Sequence, residues 1–251
     1  MPAYGSSRPK TYYNSKSLTN LNLVLDLDET LVHTMDDDGV KSDKDILLEL
    51  EKTHPRSIEI RDRLLKAVST DIGVKRGYGS KYRFCSVLRP HLEEFLKFCF
   101  EYFRVVSVWS AGQRGYVEAV VRHIFMGVQD PDFVFSRDEL VTTYKGSYEK
   151  PLMHLRDLHP LAEKYFTPQN TLVLDDNYRT FIKVNPDNAV EIPVYSPEPT
   201  FEDIMKEDDH LLKVKYWLLS KEVMNSKDVR TLNKKIFDIP LEDLKSRASS
   251  Y

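Results

Sequence analysis

The chain has 251 residues, 41% hydrophobic and 30% charged, enough for one large domain or a domain carrying an insertion. A formal net charge of −3 gives no broad attraction to nucleic acid or anionic membrane, and no apolar run approaches the ~20 residues of a membrane span. The two cysteines, Cys85 and Cys99, lie among apolar residues without a metal-like spacing, so they read as buried free thiols.

Residues 1–20, rich in Ser, Tyr and Lys and without an apolar centre, predict a flexible tail and no secretory signal. A soluble intracellular protein, nuclear or cytoplasmic, is therefore expected. Leu21 to Leu27 is a short apolar run of the kind that forms a buried parallel strand, and the acidic stretch Asp36 to Gly39 follows it. Residues 43–70 carry Ile46, Leu47, Leu50, Leu64, Leu65 and Val68 at three-to-four spacing, which predicts two helices divided at Pro55. A glycine-bearing loop leads to a strand over Tyr82 to Leu88.

From there strands and helices alternate. A helix is predicted over Leu92 to Tyr102, a strand over Phe103 to Val108, and a helix through Tyr116 to Phe125. A short strand at Phe133 to Phe135, a helix within 152–166 interrupted near Pro160, and a strand at Thr171 to Leu174 follow. This order predicts an α/β fold: a central parallel sheet flanked by helices, with a largely helical insertion at 35–81 after the first motif. One main domain is expected over 21–222, with a C-terminal extension over 223–251. Leu211 to Leu219 reads as an amphipathic helix docked on that domain, and the residues after Pro240 as loosely held.

Ligands bind at the carboxyl ends of the strands in such sheets, and three predicted strands end in Asp26, Ser110 and Asp175. At the first, Asp26 and Asp28 stand two apart with Thr30 behind them. One carboxylate can attack a phosphate monoester, forming an aspartyl-phosphate, if a hard cation screens the repulsion; Mg2+ with oxygen ligands suits this. The other can serve as general acid and base, its pKa raised by its neighbour. An acidic loop capping a helix, with Asp28 or Thr30 as N-cap, is the plain alternative. At the second strand end, the Ser110 hydroxyl and the Ala111 and Gly112 N–H groups can hold a phosphoryl oxygen, or simply cap the next helix. Lys150 is a candidate phosphate partner, with Lys145 competing. At the third, Asp175 and Asp176 are costly as adjacent acids unless they bind a cation. Asp176 would complete the metal site, with Asp175 ligating through water or orienting Lys150; which of the two is the direct ligand is left open.

The combination Leu23–Thr34, Leu88–Leu96, Trp109-Ser-Ala111, Tyr148-Glu-Lys150, Leu172–Asn177, Asn185–Ala189 and Asp228–Leu232 resembles the haloacid dehalogenase superfamily. More narrowly, it is similar to the small phosphatases that act on the C-terminal domain of RNA polymerase II. The resemblance implies a Rossmann-like fold and Mg2+ as cofactor. It makes Asp26 the nucleophile, Asp28 the acid and base, and Ser110 and Lys150 the phosphate holders, with Thr30 and Ala111 beside them. The metal site would take Asp26, the Asp28 backbone carbonyl and the Asp175–Asp176 pair, Asp176 foremost. The implied substrate is a phosphoserine or phosphothreonine of a phosphorylated protein or peptide, such as the polymerase tail, with no direct nucleic-acid or membrane binding. Oligomeric state is left open.

Three departures stand out: Ser110 where threonine is commoner, Asp176 where asparagine is frequent, and the long 35–81 segment. The competing readings are a phosphatase for a nucleotide or another small phosphorylated molecule, and a binding module that keeps the fold without catalysis. Arg89, Arg114 and Arg137 are candidates for contacting a phosphopeptide or for plain salt bridges, and Tyr82, Phe84 and Trp109 for an apolar pocket or for the core.

Overall fold

A computed structural model describes residues 17–35, 42–71, 80–143, 146–158, 163 and 165–248. The apolar run at the first motif forms strand β1 (Asn22–Leu25), every residue of it buried. It lies mid-sheet between β5 (Val105–Trp109) and β9 (Thr171–Asp175), with β6 (Phe133–Phe135) and β10 (Ala189–Glu191) outermost, all pairs parallel. Buried on both faces, such strands need continuous apolar sequence, and alternate residues sort to opposite layers. Leu23 and Leu25 join Val106, Val108, Leu172 and Leu174 in the larger core. Val24 instead joins Val105, Trp109 and Val173 in the smaller one.

Helices α3 (Leu92–Tyr102) and α4 (Arg114–Ile124) cover the larger core, and α5 (Leu152–Leu158) the smaller, giving the expected three layers. Leu25 pairs with Val108 on one side and Leu174 on the other, so the three strands end level. Chain order leaves β1 toward β5 on one flank and returns through β9 on the other. This is the topological switch point where open α/β sheets bind ligands.

The segment after the first motif departs from expectation only over its last part, residues 64–70. Helices α1 (Asp43–Thr53) and α2 (Ser57–Asp62) form on either side of Pro55, as the spacing predicts. Leu64, Leu65 and Val68, however, lie in a strand, β3 (Leu64–Asp71), which pairs antiparallel with β4 (Ser80–Leu88) along its whole length. Short β2 (Val32–Thr34) completes this second sheet on the other side of β4. The apolar spacing of 64–68 fits either period, and the ladder offered by β4, distant in sequence, decides for the strand.

The insertion has its own core, in which Leu47, Ile60 and Leu64 pack with Val87, Tyr195, Phe201 and Ile204. Arg63 ties it down further, donating to the Leu88 carbonyl and to the Tyr195 hydroxyl.

At the other end, α6 (Phe201–Ile204), α7 (His210–Leu218), α8 (Lys221–Met224) and α9 (Leu241–Arg247) follow the sheet. Residues 241–248, expected to be loosely held, are instead packed onto the domain. Leu244 is 2% exposed in the larger core, and Ala248 bridges to Ser220. Cys85 and Cys99 are free and buried; burial pushes the Cys85 thiol up to about 11 and Cys99 upward too. Among the described residues, no helix is long and apolar enough to cross a membrane.

Candidate active site

Residues from the three level strand ends meet at one point. Asp26 follows β1 directly and is 7% exposed. Lys150, 2% exposed, donates to Asp26 Oδ1 at 2.5 Å and to Asp175 Oδ2 at 2.7 Å. Asp175 is fully buried and also accepts the Asn177 N–H on Oδ1 at 2.8 Å and the Thr180 hydroxyl on Oδ2 at 3.0 Å. The backbone around the lysine is held equally firmly: its N–H donates to the Thr180 carbonyl, and Asn185 bonds its carbonyl and the Leu152 N–H. A lysine with four rotatable bonds is thus reduced to one position.

Beyond Asp26 the chain turns sharply. Glu29 sits at φ 57°, a left-handed conformation uncommon outside glycine, and its carbonyl accepts from the Tyr195 N–H. The turn sends Asp28 and Thr30 to different partners. Asp28 Oδ2 accepts from the Ser110 hydroxyl at 3.2 Å, and its Oδ1 accepts from the Tyr116 hydroxyl. Thr30 is fully buried and gives its hydrogen to Asp176 Oδ1 at 3.0 Å while accepting the Asp176 N–H. The hydroxyl of Thr30, expected beside the phosphate, thus gives its hydrogen to Asp176 here. Likewise the Gly112 N–H donates to Ser110 Oγ at 2.9 Å, orienting that hydroxyl.

Carboxylate oxygens of Asp26, Asp175 and Asp176 lie within 4.8 Å of one another, a set of hard oxygen donors that suits Mg2+. Asp175 already accepts from Lys150, Asn177 and Thr180, so Asp26 and half-buried Asp176 are the less committed pair. The electrostatics also leave room for a cation. Burial pushes the Asp26 carboxyl well up; Lys150 pulls against it, while the charges of Asp175 and Asp28 push with it. Asp176 is raised to about 6, chiefly by burial and secondarily by Asp175, against the Thr30 bond. Burial also opposes charge on Lys150, but Asp175 and Asp26 outweigh it and hold the ammonium well above its usual range. Asp28 is raised mainly by burial, with Glu29 adding to it and the Tyr116 and Ser110 bonds opposing. Its raised value therefore comes from desolvation more than from a carboxylate neighbour.

Tyr116 has no place in the sequence reading as a site residue, yet it contacts Asp28. The signal was available in its position. It lies in the first turn of the helix that follows the Ser110 loop, and side chains there lean back toward the helix start. The other candidates divide. Arg89 is buried and bonded to Asp208, the Thr30 carbonyl and the Pro193 carbonyl, a structural tie. Arg114 pairs with Asp138 and Glu139. Exposed Arg137 alone of the three stays beside the loop, donating to the Ala111 carbonyl at 2.7 Å under the Tyr148 ring. Trp109 is fully buried in the smaller core, and half-buried Phe84 lies 4.9 Å from the Tyr116 ring, so they do not form one pocket. The Tyr82 side chain and Lys145 lie outside the described residues.

Comparison with known proteins follows the same lines. A structure of an RNA polymerase II CTD phosphatase, Fcp1, matches at TM-score 0.50 and 20% identity over 90% of this chain and 60% of that one. A fission yeast Fcp1 structure bound to beryllium fluoride matches at TM-score 0.49 and 21% identity, over 70% of this chain and 42% of its own. The chain thus spans about half the length of these two proteins, and at 20% identity the first of them supports the fold alone, a parallel α/β sheet flanked by helices. The sequence model of the NLI interacting factor-like phosphatases matches residues 21–230. Since that match runs from β1 past every strand end at the site, the chain belongs to the NLI interacting factor-like phosphatase family.

Proposed function

We propose that this chain is a magnesium-dependent phosphatase that hydrolyses phosphate monoesters through an aspartyl-phosphate on Asp26. The observation that carries the reading is the meeting of Asp26, Asp28, Ser110, Lys150 and the Asp175–Asp176 pair at three level strand ends.

In the first step an oxygen of Asp26 forms a bond to phosphorus as the bond to the leaving oxygen breaks. Asp28 gives its proton to that oxygen. In the second, Asp28 takes a proton from a water whose oxygen attacks the phosphorus, breaking the Asp26–phosphorus bond and releasing inorganic phosphate. Lys150 and Ser110 hold the phosphoryl oxygens in both steps. Mg2+, held by Asp26, Asp176 and the Asp28 backbone carbonyl, would supply the positive charge that screens phosphate from carboxylate.

The substrate class that fits best is a phosphoserine or phosphothreonine in a protein, since the fold-matched relative is a phosphatase of the polymerase tail. The predicted result for Asp26→Asn is a loss of aryl phosphate hydrolysis by more than about a thousandfold with the fold intact. Full activity in that variant sinks the mechanism. Comparing turnover of phosphopeptides with that of nucleotides tests the substrate class separately, because faster nucleotide turnover would overturn only the protein-substrate part.

A further inference from the structure

Asp28 is gripped from a side that the reaction itself does not require. Its Oδ1 accepts from the Tyr116 hydroxyl, and the Tyr116 oxygen lies 2.6 Å from Thr34 Oγ1, which lies 2.7 Å from Ser86 Oγ. With the single phenol hydrogen given to Asp28, Thr34 is left to donate to Tyr116 and Ser86 to Thr34. Thr34 and Ser86 are paired residues of β2 and β4, the two strands at the root of the insertion. Phe84, also on β4, packs its ring 4.9 Å from that of Tyr116. The seat is close-fitting: a Cβ on Gly112 would come 2.7 Å from the Tyr116 ring and 3.2 Å from Ser110 Oγ.

We propose that Tyr116 is a positioning residue for Asp28, held in turn by the Thr34 and Ser86 hydroxyls at the base of the insertion. With Oδ1 committed to Tyr116, the transferable proton resides on Oδ2. That oxygen faces Ser110 Oγ at 3.2 Å, the side on which the phosphoryl group is held. As the proton passes to the leaving oxygen, Asp28 becomes a carboxylate and the bond from Tyr116 strengthens with its charge. Tyr116 keeps its own proton throughout. The insertion thereby joins catalysis through its root, by fixing which oxygen of the acid works. This inference rests on Asp28 acting as the general acid.

The test compares kcat/KM for phenyl phosphate and 4-nitrophenyl phosphate, whose leaving groups differ in their need for a proton. Tyr116→Phe keeps the ring and removes the hydroxyl. A misplaced acid should cost on the order of tenfold more on phenyl phosphate than on the nitrophenyl ester. Thr34→Val, which leaves Tyr116 in place but unheld, should show the same selective loss to a smaller extent, and it carries the test if Y116F does not fold. An equal loss on both esters, or no loss, overturns the positioning role and leaves the phosphatase reading standing. Absence of hydrolysis of either ester by the unaltered protein overturns the reading beneath it, and the inference falls with it.

Discussion

Lys150 shows how much of the site depends on single side chains. Its ammonium bonds Asp26 and Asp175 while only 3% of its side chain is exposed. A buried charge left without its partner is expensive, and breaking such a pair costs about 3–5 kcal/mol. We predict that Lys150→Met lowers stability by about that amount as well as abolishing turnover. Urea unfolding measures the first effect independently of the second. A loss below about 1 kcal/mol would show that the buried lysine's ion pairs contribute little to the fold. Thr30 and Gly112 belong to the same scale. Each spends a hydrogen on a neighbour, Asp176 and Ser110 respectively, and so orients a group placed nearer the phosphate.

At the scale of elements, the turn after β1 and the strand β4 are clamped by Arg89. It reaches the Thr30 carbonyl at 3.0 Å, the Pro193 carbonyl at 2.8 Å and Asp208 Oδ2 at 2.9 Å, joining four stretches of chain. Burial pushes the Asp208 carboxyl up, but the bonds from His210 and Arg89, with the charge of Arg89, more than reverse it. The result is a carboxyl held well below the ordinary range. A group depressed in the folded state contributes stability above its unfolded pKa of about 3.9, and that contribution is lost as pH falls toward the folded value. Asp208→Asn should therefore cost about 3 kcal/mol at neutral pH and progressively less below about pH 4. Unfolding midpoints in urea at pH 7, 5 and 3 check this; a cost that does not change with pH would show that Asp208 acts as a neutral acceptor only.

At the scale of the whole molecule, the C-terminal segment closes the larger core. Val223, Val229, Leu232, Ile236 and Leu244 are buried with the residues of β1 and β5. Leu244→Ala should cost about 2–4 kcal/mol, or a fall in Tm of roughly 5–10 °C for a chain this long. Thermal unfolding followed by circular dichroism reads it directly. An unchanged Tm would place the C-terminal helix outside the cooperative unit. The insertion is bound just as closely, since His54 stacks on Phe201 at 4.1 Å and Arg56 lies over the same ring at 4.7 Å. Its residues 42–71 thus pack on the 195–205 segment.

What the sequence determined by itself is the part governed by local pattern. Continuous apolar runs specified β1, β5 and β9, because only a strand buried on both faces needs them, and the polar residues closing those runs identified the site. Helix α3 was legible in full from its apolar spacing. The tertiary structure decided what depends on distant partners. Residues 64–71 became a strand because β4 supplied a ladder, against a spacing that fits either period. Arg89 and Trp109 went to the interior because Asp208 and the smaller core received them. Which partners the Thr30 hydroxyl and the Asp175 carboxylate meet turns on a few ångströms between strand ends. Tyr116 reaches Asp28 across 88 residues of chain, and no periodicity encodes that approach.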